Sequence, residues 1–135
     1  MQPAGASRDD AALIAIVDDD ASVRQSACRL IRSFGYRTAG FASGEEFLAA
    51  DLSETACVLL DVRMPGMDGL QVQAELAARG ARIPIVFLTA RAGADDEQRA
   101  RAAGAVDFLR KPAAGAVLHG ALQRALQSRA NDDAH

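Results

Sequence analysis

The chain has 135 residues, half of them apolar, with 4% aromatic side chains, no Trp and a formal charge of −3. That length suits one domain able to bury most of its unfolded surface, around a core of Ala, Val, Leu and Ile. Mixed charges with a slight acidic excess argue against unaided nucleic-acid binding, and no stretch approaches the ~20 consecutive apolar residues of a membrane span.

Residues 1–11 read as a loose tail, without a cationic start and apolar run, so no signal peptide is expected and the protein is placed in the cytoplasm. Leu13-Ile14-Ala15-Ile16-Val17 is a short apolar run fit for a buried strand. From Ser22 the pattern turns helical, with Val23, Ala27, Leu30, Ile31 and Phe34 on one face and Gly35 at the end. Arg37 to Phe41 is a weaker strand, and Ser43 with Glu46 forms a capping-box pattern ahead of Phe47 and Leu48. Ala56-Cys57-Val58-Leu59-Leu60 is a third apolar run, ending at Asp61. A Gly- and Pro-containing loop from Arg63 to Gly69 leads to a helix with Leu70, Ala74, Leu76 and Ala77 turned inward.

Pro84 to Leu88 is a fourth strand, followed by Thr89-Ala90, and Asp95 to Ala103 fits a helix with a face of Ala. Val106 to Leu109 is a fifth strand. The last helix turns Val117, Leu118, Ala121, Leu122, Ala125 and Leu126 inward and is weakened by Gly115 and Gly120. One domain over 12–128 is expected, with 129–135 a frayed tail. Cys28 and Cys57 lack a CxxC spacing and read as buried reduced thiols.

Strands and helices alternate five times, which implies an α/β fold with a five-stranded parallel sheet, doubly wound and covered on both faces. Such sheets bind ligands beyond the carboxyl ends of their strands. Asp18, Asp19, Asp61, Thr89 and Lys111 all follow strand ends, so they read as one site. Asp20 is instead read as a helix cap ahead of Ser22.

Acids gathered at one rim repel each other. At ~5 Å and an effective dielectric of ~20, each like-charge pair costs about 3 kcal/mol. Oxygen ligands without His or Cys favour Mg²⁺ or Mn²⁺. An Asp carboxylate is a competent nucleophile toward phosphorus, and a metal with an ammonium can neutralise the transferring group.

This ordered set resembles the receiver domain of two-component response regulators, the CheY-like family, over about Leu13 to Leu126. The motifs are the acidic pair after the first strand, Asp61 with Met64-Pro65-Gly66 after the third, Thr89-Ala90 after the fourth, and Lys111-Pro112 after the fifth. Gly104-Ala105-Val106-Asp107-Phe108-Leu109 resembles the FixJ/NarL-like branch. The resemblance implies a flavodoxin-like (βα)5 fold and a signalling switch that is no enzyme beyond its own phosphorylation and dephosphorylation. Asp61 corresponds to the phosphoacceptor, served by a sensor histidine kinase or phosphotransfer protein in a phosphorelay.

Asp18 and Asp19 correspond to metal-binding acids, with Asp19 the direct ligand and Asp18 partly through water. Asp61 and the Arg63 backbone carbonyl complete the protein's share of the coordination. Lys111 would contact phosphoryl oxygens, and Thr89 and Phe108 match the switch pair. The Lys111–Pro112 bond is implied to be cis. Arg63 and Arg91, two residues past Asp61 and Thr89, border the phosphoryl group and are read as modulating its lifetime. Phosphorylation-dependent homodimerisation is the FixJ-like outcome. Ala113-Ala114 departs from the large apolar residue usual after Lys-Pro.

Two other functions stand beside the switch. A phosphohydrolase with an Asp nucleophile carries a second Asp two residues on, where this chain has Arg63. A pseudo-receiver would lack the acids and the amine that are present here. With no output segment read after the last helix, either a stand-alone regulator or an excised domain is expected.

Overall fold

The computed structural model describes residues 11–133. Five strands, β1 (Leu13–Val17), β2 (Arg37–Phe41), β3 (Thr55–Leu60), β4 (Ile85–Thr89) and β5 (Asp107–Arg110), alternate with five helices. These are α1 (Ala21–Ser33), α2 (Gly44–Ala49), α3 (Gly69–Ala78), α4 (Asp96–Ala102) and α5 (Gly115–Asp133). The strands form one sheet in the order β2-β1-β3-β4-β5, with every neighbouring pair parallel. Order reverses between β1 and β3, so the ends of these two central strands flank the crevice at the switch point.

Alternate residues of each strand serve opposite faces. Ala15, Val17, Val58, Leu60, Phe87 and Phe108 pack with Phe47 of α2, Val72 and Leu76 of α3 and Ala100 of α4. Ile14, Ile16, Cys57, Leu59, Val86 and Leu109 pack on the other face with Ile31 of α1 and Leu118, Ala121, Leu122 and Ala125 of α5. Continuous apolar strands are the consequence of this double covering. Cys28 and Cys57 are free thiols, and burial pushes the Cys57 thiol up to about 12, so it stays protonated.

Three helices are rotated or extended relative to the sequence reading. In α3 the buried positions are Gly69, Val72, Gln73 and Leu76, while Ala74 and Ala77 face solvent. The cause is Gly69: a Cβ there would lie 2.2 Å from the Asp61 carbonyl oxygen and 3.0 Å from the Phe87 ring, so bare backbone must face β3 and the rotation follows. Gln73, turned inward, donates from Nε2 to the Ala100 carbonyl at 3.0 Å and ties α3 to α4. In α5 the sheet-facing stripe starts at Leu118 and leaves Val117 50% exposed; in α1 Leu30 lies on the flank at 37%. Helix α5 also continues to Asp133, through residues expected to be frayed. The expected N-terminal tail lies outside the described residues except for Ala11, whose carbonyl accepts from Arg37 Nε at 2.8 Å.

Caps follow the side chains available. Ser43 accepts the Glu46 N–H at 3.0 Å. The complete reciprocal box stands at α3, where Asp68 accepts the Gln71 N–H and Gln71 accepts the Asp68 N–H. That start lies inside the segment read as loop, because the Gly-rich composition hides the cap.

Candidate functional site

The C-terminal ends of β1, β3, β4 and β5 supply the groups expected to meet. Asp61 directly follows β3, and its N–H donates to the Val17 carbonyl at 3.1 Å, which sets it beside the end of β1. Asp18 follows β1 and donates its N–H to the Phe41 carbonyl at 3.1 Å. Lys111 follows β5 and is held to the end of β4 through Lys111 N–H to Thr89 O, 2.9 Å. Its bond to Pro112 is cis, as the resemblance implies. Backbone pairing between adjacent strands thus brings together residues as far apart in sequence as Asp18 and Lys111.

Asp18, Asp61 and Thr89 are buried, and Asp19 is exposed. The carboxylates of Asp18, Asp19 and Asp61 offer oxygens that all lie within 4.8 Å of one another. Lys111 Nζ donates to Asp18 Oδ2 at 2.8 Å and lies 3.8 Å from Asp61 Oδ2. Asp18 Oδ1 accepts the Asp20 N–H at 2.9 Å. Both Asp18 oxygens therefore have protein donors. Burial raises the Asp61 carboxyl above its usual range, aided by the Asp18 charge and opposed chiefly by the Lys111 ammonium. A cavity of about 210 Å³ opens over these groups, lined also by Val23, Arg63, Ala90 and Arg91. A cleft of about 590 Å³, lined by Asp19, Arg63, Met64, Pro65, Gly66, Asp68 and Arg91, borders it.

Asp20 behaves as the sequence suggests. Its Oδ1 accepts the Ser22 and Val23 N–H groups at 3.0 and 3.2 Å and the Ser22 hydroxyl at 2.9 Å, and these bonds, the hydroxyl foremost, lower its pKa. The Thr89 hydroxyl donates to the Arg91 carbonyl at 3.1 Å. Phe108 is 5% exposed, its ring 5.7 Å from that of Phe87 with Arg110 stacked over it at 5.5 Å.

The two arginines read as equivalents from the sequence differ here. Arg63 donates from Nη2 to Asp96 Oδ2 at 2.5 Å. Among the described residues the Arg91 guanidinium has no ion pair. Asp96, 4% exposed at the start of α4, also accepts the Gly93 N–H at 2.6 Å. Sequence reasoning passed over Asp96. Its only local signal is Gly93 three residues before it, the spacing of a turn closed by a side chain.

A family model described as the response regulator receiver domain matches residues 14–123. The chain belongs to that family. Nodulation protein W of Bradyrhizobium diazoefficiens is 43% identical over 102 residues, 75% of this chain and 45% of that protein. Response regulator protein TmoT of Ectopseudomonas mendocina is 42% identical over 121 residues, 88% of this chain and 54% of that protein. The chain thus spans about half the length of these curated relatives. The solved structure of FixJ-N superposes with a TM-score of 0.79 at 32% identity, covering 85% of this chain and 93% of that one. The receiver domain is accordingly a two-component signalling domain, and its acidic pocket of Asp18, Asp19 and Asp61 fits a phosphoacceptor site. No helix among the described residues is long and apolar enough to cross a membrane.

Proposed function

We propose that Asp61 is the phosphoacceptor of this receiver domain and that a histidine kinase or a phosphohistidine transfer protein is the donor. The observation that carries this reading is a carboxylate at the end of β3, beneath an open cavity, with two further acids and one amine at its rim. An Asp61 oxygen attacks phosphorus, the phosphorus–nitrogen bond to the donor imidazole breaks, and its electron pair stays on the imidazole. The product is an acyl phosphate. Lys111 is positioned to turn from Asp18 toward the incoming phosphoryl oxygens, keeping charge balanced during transfer.

The donor set fits a hard cation. Asp18, Asp19, Asp61 and the Arg63 backbone carbonyl would hold Mg²⁺ or Mn²⁺, since all are oxygen ligands. Asp19 is the most available, because the protein already engages both Asp18 oxygens. Bound there, the cation supplies positive charge to the phosphoryl oxygens. Thr89 and Phe108 form the switch pair, and Arg63 and Arg91 modulate the lifetime of the phosphorylated state. The output face comprises α4, β5 and α5, with phosphorylation-dependent homodimerisation as its expected use and the cytoplasm as its setting.

Acetyl phosphate with Mg²⁺ should add one phosphoryl group by mass spectrometry, absent from Asp61→Asn. Full labelling of that variant would move the acceptor elsewhere.

A further inference from the structure

The Arg63–Asp96 pair joins the loop after Asp61 to the first residue of α4. At one end, the Arg63 N–H lies 3.4 Å from Asp61 Oδ1, and Arg63 lines the cavity over that carboxylate. At the other, its guanidinium rests on Asp96, 2.5 Å away, in the turn that Asp96 closes by accepting the Gly93 N–H. The fit is close: a Cβ on Gly93 would lie 3.2 Å from Arg63 Nη2 and 3.3 Å from Asp96 Oδ2. Asp96 is nearly fully buried, whereas the Arg63 side chain is 45% exposed and can swing.

We propose that Asp96 is a positioning residue for the phosphoryl site: it holds Arg63 aside in the unphosphorylated protein, and the phosphoryl group on Asp61 takes Arg63 over, releasing the start of α4. The proposal rests on Asp61 as the phosphoacceptor. A phosphoryl group on Asp61 replaces one carboxylate charge with roughly two, spread over three acceptor oxygens, in a cavity already rich in acids. A guanidinium stays charged and matches phosphoryl oxygens in a two-bond fork, which one carboxylate oxygen on Asp96 does not offer it. Once Arg63 leaves, Asp96 is a buried carboxylate with only the Gly93 N–H. That state is unfavourable until the Gly93–Asp96 turn opens to water and α4 shifts. Coupling is reciprocal, so holding Arg63 on Asp96 also weakens phosphoryl binding. This route starts from the β3 loop, whereas Thr89 reaches the same segment through the Arg91 carbonyl.

Beryllofluoride with Mg²⁺ serves as a phosphoryl mimic, its Kd measured by calorimetry. Asp96→Asn keeps an acceptor for the Gly93 N–H but loses the charge that holds Arg63. It should bind the mimic about fivefold more tightly than wild type, the low end of ordinary coupling. In an Arg63→Ala background the same change should have no effect. Unchanged or weaker binding by Asp96→Asn, or equal tightening in both backgrounds, would overturn the proposal. In wild type, the mimic should speed hydrogen exchange at the Gly93 and Asp96 amides, a measurement that stands even if Asp96→Asn does not fold. Unchanged or slowed exchange there counts against it. Failure of wild type to bind the mimic at all would overturn the Asp61 reading itself, and this proposal with it.

Discussion

At the start of β5, Asp107 faces Arg101 of α4 and Arg124 of α5; just past its end, Lys111 faces Asp18 and Asp61. Asp107 accepts from Arg101 Nη2 at 3.0 Å, from Arg124 Nη2 and from the Phe108 N–H at 2.8 Å. Glu97 extends this cluster, pairing with Arg101 at 2.9 Å and Arg110 at 3.4 Å. Cations outnumber acids there. At the other end three carboxylates share one ammonium. The consequences are opposite in sign. Burial works against the Asp107 charge, but the Phe108 N–H and the two guanidinium groups outweigh it and hold that carboxyl below its usual range. Burial wins at Asp61 and holds it above. One end is a closed structural cluster; the other keeps an excess of negative charge, which suits a divalent cation that can then neutralise an incoming phosphoryl group.

The largest expected effect separates the two ends by their response to cations. At free Mg²⁺ about a hundred times its Kd, linkage adds about 2.7 kcal/mol to stability. The gain, read from urea unfolding with and without Mg²⁺, should vanish in Asp18→Ala/Asp19→Ala and persist in Asp107→Asn. A full Mg²⁺ response in the double variant would erase the distinction.

Asp107→Asn should then destabilise the protein at neutral pH by roughly 1–2 kcal/mol, a modest figure because both arginines are about half exposed. The folded carboxyl titrates below the unfolded value of 3.8, so its contribution is complete above that pH and is lost as pH falls through the folded value. The variant and wild type should therefore converge in urea melts as pH falls below the folded value; a gap independent of pH would assign the loss to packing.

Asp61→Asn should act in the reverse direction. Because the folded pKa is raised, the ionised carboxylate lowers stability as pH rises from 3.8 through the folded value, and the deficit persists at neutral pH. Removing the charge should raise metal-free stability by about 1 kcal/mol, a fraction of one like-charge cost at this rim. Destabilisation at pH 7 would mean that Lys111 fully balances the site.

The smallest effect concerns Arg91, whose guanidinium has no ion pair among the described residues and lines the cavity over Asp61. Because a guanidinium cannot act as a base, the role proposed for it is to shield the acyl phosphate from in-line water. Arg91→Ala should speed loss of phosphate about fivefold, just under 1 kcal/mol of barrier. An equal or slower decay after donor removal would leave Arg91 as a surface cation.

Much of this was legible in the chain itself. Apolar runs of four or five residues between helical patterns are enough to dictate a parallel sheet, because strands covered on both faces cannot alternate in polarity. The rule that ligands gather at strand ends then groups Asp18, Asp19, Asp61, Thr89 and Lys111 from the sequence pattern. Helix rotation was not legible. Ala74, Ala77 and Val117 suit an inward face by composition, but the rotation of α3 follows from the contact of Gly69 with the Asp61 carbonyl, a contact no periodicity encodes.

Charge pairing is likewise tertiary. Arg63 and Arg91 occupy matching offsets from two site residues, and nothing local tells them apart. Only the packing of the β3–α3 loop against α4 ties one to Asp96 and leaves the other without an ion pair among the described residues. Sequence alone determined the fold class and placed the five candidate residues at strand ends, because both follow from local pattern. The tertiary structure decided which charges are spent on one another and which remain for chemistry, because that depends on distances between elements the chain brings together only when folded.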